Sequence, residues 1–205
     1  VSEAYEISPL IEENTLLNQT IPKGYVKLIV SGNIRSGYAT WGSDSVQYLK
    51  HSYKEPIIKV SRLPEKRARQ AILPKIAISG LAPRPTAFFD EQGAYYPGKS
   101  TVIITAKSPL LLRNLTKLLN SRIGRIIYFA QYCSLSLQGG YMRFGPPQLN
   151  RFPVPAGFES VSQDITDAEL CKLYGVTEEE IIDADKRLDE PDSNEVRNHL
   201  ARINN

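Results

Sequence analysis

The chain has two cysteines, two histidines, one methionine and one tryptophan in 205 residues. Cys133 and Cys171 sit in unlike contexts without CxxC spacing. That excludes a disulfide framework and a cysteine zinc site, and Cys133 reads as a small core residue. His51 and His199 lie far apart with no ligand spacing around them, so metal and triad catalysis have no visible basis. GxGxxG, GxxxxGK before Ser or Thr, GxSxG and HExxH are all missing. No apolar run approaches the roughly 20 residues that span a bilayer, so no membrane role is expected. Val1 stands where a Met would begin a chain, and no leader with a basic start and apolar centre follows. The expectation is a cytoplasmic, globular piece of a longer protein. Its length suits one domain with an appendage, or two small domains sharing a core.

What the sequence does have is segregated charge. Residues 1–22 carry four acids and no bases. Residues 23–151 carry 20 Lys or Arg against five Asp or Glu, a balance of +15, and residues 152–205 carry five bases against 13 acids, or −8. The net +3 hides this division. A basic middle between acidic ends is the footprint expected for a polyanion partner, because phosphate neutralisation is the sequence-independent part of nucleic-acid affinity. A solvated basic face is the alternative.

The same boundary divides the predicted elements, giving residues 1–151 as a basic domain and 152–205 as an acidic helical tail. "YVKLIVSGNI", "EPIIKV", "PKIAIS", "TAFFD" and "STVIITA" are β-branched or aromatic runs that predict strands. "SGYATWG", "SRLPEKRARQ", "GLAPRP" and "EQGAYYPGKS" between them predict loops. "SPLLLRNLTKLLN" predicts a helix capped by Ser108, with leucines at 111, 112, 115, 118 and 119 on one face. Ser121 then caps a second helix, "RIGRIIYFAQY", making a corner from which Ile123, Ile126 and Ile127 reach the sheet while Arg122 and Arg125 stay exposed. The four prolines of "GPPQLNRFPVP" predict an extended strap. "ITDAELCKLYG" and "VTEEEIIDADKRL" each open on a Thr cap and an acidic first turn, and a third tail helix is expected around "SNEVRNHLARI". The fold class is mixed α/β of the α+β kind: a twisted, mainly antiparallel β-sheet with packed helices and a small C-terminal helical tail. Asp90 and Glu91 with Lys99 could be a fragment of a nuclease metal site, though an Asp before a Gly turn is commonly turn chemistry. Glu178, Glu179 and Glu180 read as the charge bias of a helix start rather than a cation site.

Across residues 25–180 the pieces "LPKIAISG", "AFFDEQGAYYPGKSTVIIT", "LLRNLTKLLNSRIGRIIYF", "GGYMRFGPPQLNRFPVP" and "LYGVTEEEI" follow in an order that resembles the target-recognition domain of TaqI-like adenine DNA methyltransferases and of Type IIG restriction-modification enzymes. The last two pieces are also similar to specificity subunits of multi-subunit restriction systems. The resemblance implies a prokaryotic DNA-binding specificity domain of a restriction-modification or related phage-defence system. It would bind double-stranded DNA and direct an adenine methyltransferase or endonuclease. The family's Asn-Pro-Pro-aromatic methylation motif is missing, since "FGPPQ" has no Asn before Pro146 and no aromatic after Pro147. No catalytic residue, metal or cofactor is therefore expected in this chain. S-adenosylmethionine would belong to a parent methyltransferase, whose catalytic or nuclease domain lies in the same protein or a partner subunit.

Readout needs phosphate anchors plus a few side chains fitted to base edges. The resemblance assigns base contact to Arg35, Ser36 and Tyr38, and mainly phosphate contact to Arg62, Lys66, Arg67 and Arg69. Lys23, Arg84, Tyr96, Lys99, Tyr141 and Arg143 are secondary DNA-binding candidates at Gly- or Pro-marked turns. Trp41 reads as a core anchor before a wedge between bases. Base flipping implies a pocket on the catalytic domain, so none is expected here. Two alternatives stand beside this reading: the C-terminal part of a bifunctional restriction-methylation enzyme, and a protein-interaction module whose basic face serves an acidic partner.

Overall fold

A computed structural model describes residues 3–16, 18, 20–137 and 140–189. In chain order these form α1 (Glu3–Ile7), β1 (Ile11–Glu13), β2 (Tyr25–Ile29), a hairpin of β3 (Ile34–Arg35) and β4 (Tyr38–Ala39), and a second hairpin of β5 (Val46–Tyr48) and β6 (His51–Tyr53). Next come β7 (Pro56–Lys59), α2 (Glu65–Ile72), β8 (Lys75–Ser79), β9 (Leu81–Ala82), β10 (Ala87–Asp90), β11 (Tyr95–Pro97) and β12 (Thr101–Ile104). The rest is helical apart from one short strand: α3 (Pro109–Asn120), α4 (Arg122–Tyr132), β13 (Met142–Arg143), α5 (Pro146–Leu149), α6 (Asp167–Tyr174) and α7 (Glu178–Arg187). The protein is an α+β fold.

Two sheets lie at its centre, in strand orders β1-β7-β2-β11 and β10-β8-β12. Every ladder in them is antiparallel except β2 with β11. Side-chain alternation along the strands connects the layers. On β2, Val26 and Leu28 join a cluster with Ile7, Tyr48 and Ala71 under α1 and α2. Ile29, with Ile57 of β7, turns the other way and meets Trp41, Ala77 and Phe88 between the sheets. On β8, Ala77 faces that inter-sheet core, while Ile76 and Ile78 face Leu112, Leu118 and Leu119 of α3. All five residues of β8 are buried because both its faces are covered.

The tail belongs to this last core. Phe158, Ile165 and Leu170 are buried beside the α3 leucines, so the acidic segment folds onto the basic one. Ser108 caps α3 by accepting the Leu111 amide at 3.2 Å, and Thr166 and Thr177 close capping boxes with Glu169 and Glu180, as the sequence signals require. The expected helix near 193–203 lies outside the described residues.

Several expectations need correction. The expected loops "SGYATWG", "GLAPRP" and "EQGAYYPGKS" hold the short strands β4, β9 and β11. The segment taken as the loop "SRLPEKRARQ" contains α2, because Pro64 sits at the helix entry, where its missing N–H costs nothing, and strong helix formers follow. The proline strap includes one helical turn, Pro146–Leu149, its prolines in the first turn. At the α3–α4 corner Ser121 does cap, accepting from Gly124 N at 3.0 Å. However, α4 has α3 and α7 as its main neighbours rather than the sheet, and Arg125 is only 15% exposed. Gly124 is required because a Cβ there would lie 2.2 Å from the Leu118 carbonyl oxygen.

Candidate functional site

Three segments distant in sequence converge on the backbone of one residue, Ala87 at the start of β10. Asn120, the last residue of α3, accepts from Ala87 N at 2.9 Å through Oδ1 and donates to Ala87 O at 2.8 Å through Nδ2. The same carbonyl accepts from Gly37 N at the tip of the β3–β4 hairpin, at 2.9 Å. The hairpin tip, the Pro83–Thr86 loop and the α3–α4 corner are thereby fixed to one another. Gly37, at φ +87°, supplies the left-handed turn that aims its amide inward.

This arrangement sets Ser36, Arg113, Lys117 and Asn120 around an open cleft of about 510 Å³, with Asp167 as one carboxylate on its wall. Arg35 is half-buried, its guanidinium donating to Gly32 O at 2.7 Å and pairing with Asp44 at 2.8 Å, which stiffens the hairpin. Ser36 and Tyr38 are exposed at the tip. Arg113 pairs with Glu91 at 2.7 Å and Asp164 at 3.2 Å, and these carboxylates, Asp164 foremost, raise its pKa further. Lys117, one turn on, is exposed and makes no ion pair among the described residues. Beyond Ser121 the edge continues to Arg122 and Arg125, and Arg84 shares a smaller cleft with Arg125 and Asp189. Arg113, Lys117, Arg122 and Arg125 were not among the residues singled out for DNA contact. Their signal was there: Arg113 and Lys117 are four apart on the side of α3 opposite its leucines.

The remaining candidates fall elsewhere. Arg62 pairs with Glu12 at 2.8 Å, Arg67 with Glu3, and Arg69 with Glu65, while Lys66 is exposed on α2. This second basic cluster is thus largely matched by carboxylates, two of them from the acidic N-terminal segment. Tyr141 and Arg143 are exposed beside β9, through the ladder that sets Arg143 opposite Leu81. Lys23 and Lys99 are exposed in separate turns.

Tyr96 has to be withdrawn as a surface contact. It is 3% exposed, its hydroxyl donates to Glu3 Oε1 at 2.9 Å, and burial beside that carboxylate pushes its phenol far up. Its neighbour Tyr95 is only half-buried, because β alternation sends one of the pair into the core. Trp41 is 3% exposed and donates to Pro56 O at 2.8 Å, a core anchor with Lys27 Nζ 4.5 Å from its ring centre.

The nuclease fragment dissolves as well. Asp90 is buried against Lys75, with Oδ2 2.6 Å from Nζ, and its oxygens also accept the Ala94 and Tyr95 amides at 2.9 and 3.0 Å. Lys75 Nζ donates in addition to Ala71 O and Leu73 O at the end of α2. Burial lowers the Lys75 pKa, and Asp90 opposes that. This is a closed structural pair that joins α2, β8 and the Asp-x-x-Gly turn, the carboxylate being engaged by one ammonium and two backbone amides. Gly93 completes the turn at φ +62°, passing so close to Ile72 O that a Cβ would lie 2.1 Å away. No group of three or more His, Cys, Asp or Glu able to hold a metal occurs among the described residues, and no helix there is long and apolar enough to cross a membrane.

What the edge from Ser36 to Arg84 can do is bind an extended anion. It offers guanidinium and ammonium donors, hydroxyls, and an aromatic side chain on a rigid hairpin, without a nucleophile and base in contact. Comparison with protein-family models returns no match, and none of the curated proteins matches the chain.

Proposed function

We propose that this chain is a target-recognition module for double-stranded DNA in a restriction-modification or related defence system. It positions an adenine methyltransferase or endonuclease carried elsewhere in the same protein or by a partner subunit, where S-adenosylmethionine would be bound. The observation that carries the reading is the fixing of the hairpin tip, the Arg84 loop and the α3–α4 corner at Ala87. It gives a rigid edge on which Lys117, Arg122 and Arg84 contact phosphates while Ser36 and Tyr38 reach base edges. The order of sequence pieces and the +15 balance of residues 23–151 support the same reading independently.

Gel-shift titration of random duplex DNA across a salt series tests it, followed by selection of bound sequences from a random library. Salt-sensitive binding with an enriched motif is the expected result, and no binding at low ionic strength would remove the DNA reading. A competing reading, an acidic protein partner, draws on the carboxylates that Arg62 and Arg67 already hold. It would show instead as binding to an acidic polypeptide with none to duplex DNA.

A further inference from the structure

The first turn of α4 carries Arg122 and Arg125 and no acid. Cations at a helix N-terminus oppose the helix dipole, so stability alone gives no reason to gather them there. Arg84, from the loop after β9, adds a third cation, exposed and without an ion pair among the described residues. The cluster is answered by two carboxylates one turn apart on the last part of the chain described. Asp185 lies 2.9 Å from Arg125 Nη1 and 3.5 Å from Arg122 Nε, and Asp189 pairs with Arg125 Nη2. Arg125 is the main cause of the lowered pKa of Asp189, with a smaller contribution from Arg84.

The helix that ends at these acids is weakly embedded. α7 has no fully buried residue, and its apolar contact with the core is limited to partly buried side chains such as Ile181 and, just beyond it, Leu188. The acidic N-terminal segment is different: Glu3 and Glu12 flank Ile7, which is fully buried, so that segment is part of the core. A guanidinium fork accepts carboxylate and phosphate oxygens by the same geometry.

We infer that Arg84, Arg122 and Arg125 form a phosphate-contacting surface for duplex DNA for which the end of α7 and the residues just after it compete in the free chain, the Asp185 and Asp189 carboxylates standing where two phosphates sit in the complex. This rests on the DNA reading above and adds a self-competing acidic helix to it. Binding then exchanges carboxylates for phosphates at Arg122 and Arg125, which releases fewer counterions than binding to open arginines does.

The test compares the full chain with D185N/D189N and with R84Q on random duplex DNA over a salt series. The double variant should bind at least about fivefold more tightly at low salt, a coupling of ordinary allosteric size. Its slope of log K against log salt should steepen by about 2, for two phosphate contacts no longer offset internally. R84Q should bind more weakly than the parent with an unchanged thermal midpoint, a readout that holds even if the double variant folds poorly. Parent binding that neither variant alters overturns the inference and leaves the DNA reading standing. Absence of binding by the parent at low ionic strength removes both.

Discussion

Asn120 gives both ends of its side-chain amide to the backbone of a single residue, and Asn114 two turns earlier does nearly the same, donating to Gln163 O at 3.0 Å and accepting from Ile165 N at 3.0 Å. Each asparagine imitates a strand neighbour for a backbone that has none: Asn114 ties the tail to α3, and Asn120 ties the edge of β10. Truncating Asn120 to alanine leaves the Ala87 N–H without that acceptor, and a cost of about 1–3 kcal/mol is expected. Urea unfolding should show that loss, and DNA affinity should fall with it, because the hairpin tip and the Arg84 loop lose their common anchor. At Lys75 the expected cost is larger. Lys75→Met strands the buried Asp90 carboxylate and should destabilise by about 3–5 kcal/mol, with much of the loss recovered when Asp90→Leu is added. A double-mutant cycle in urea checks this, and additive losses from the two substitutions would contradict it.

Among the elements, the α3–α4 corner shows most clearly what sequence could and could not reveal. Ser108, the leucine spacing, Ser121 and the Thr caps of the tail are local signals, and each appears where the pattern places it. The role of Gly124 is tertiary, arising from the approach of one helix start to another helix's last carbonyls. Gly124→Ala should cost about 1–3 kcal/mol by overpacking, lowering the thermal midpoint. The loop expected over "SRLPEKRARQ" gives way to α2 because Pro64 is compatible with a helix that begins just after it. The tail helices respond to acid through their caps. Thr166 and Thr177 hold the Glu169 and Glu180 carboxyls below their ordinary range through backbone and hydroxyl hydrogen bonds, and Arg125 does the same for Asp189. A depressed native pKa means stability that is present above the unfolded value, about 4.3 for Glu and 3.9 for Asp, and is lost as pH falls through the native one. Helical circular dichroism should therefore decline as the pH is lowered below about 4. The T166A/T177A variant should start less stable at neutral pH and show a smaller acid loss.

At the scale of the whole molecule, charge segregation was legible in the sequence and its arrangement was not. Counting placed the cations in residues 23–151. Only the fold shows that Arg62 and, on α2, Arg67 and Arg69 are already matched by Glu12, Glu3 and Glu65, whereas the edge running from Ser36 past Lys117 to Arg84 leaves Lys117 and Arg84 without an ion pair among the described residues. Arg35, Ser36 and Tyr38 were visible because a Gly turn follows a strand. Lys117 was legible only as an outward position opposite the leucines of α3, and nothing local in the sequence ties it or Arg122 to the hairpin tip. Tyr96 failed for the converse reason: a Gly- and Pro-rich stretch looked like a loop, yet it adds β11 to the sheet as a parallel strand. The central claim is that this edge binds duplex DNA through its phosphates. The most direct measurement is the slope of log K against log salt for the parent and for K117Q/R122Q. The parent should bind with a slope of about −3, equivalent to three or four neutralised phosphates, and the double variant should lose roughly two of them. No binding at low salt, or a slope that the two substitutions leave unchanged, would contradict it.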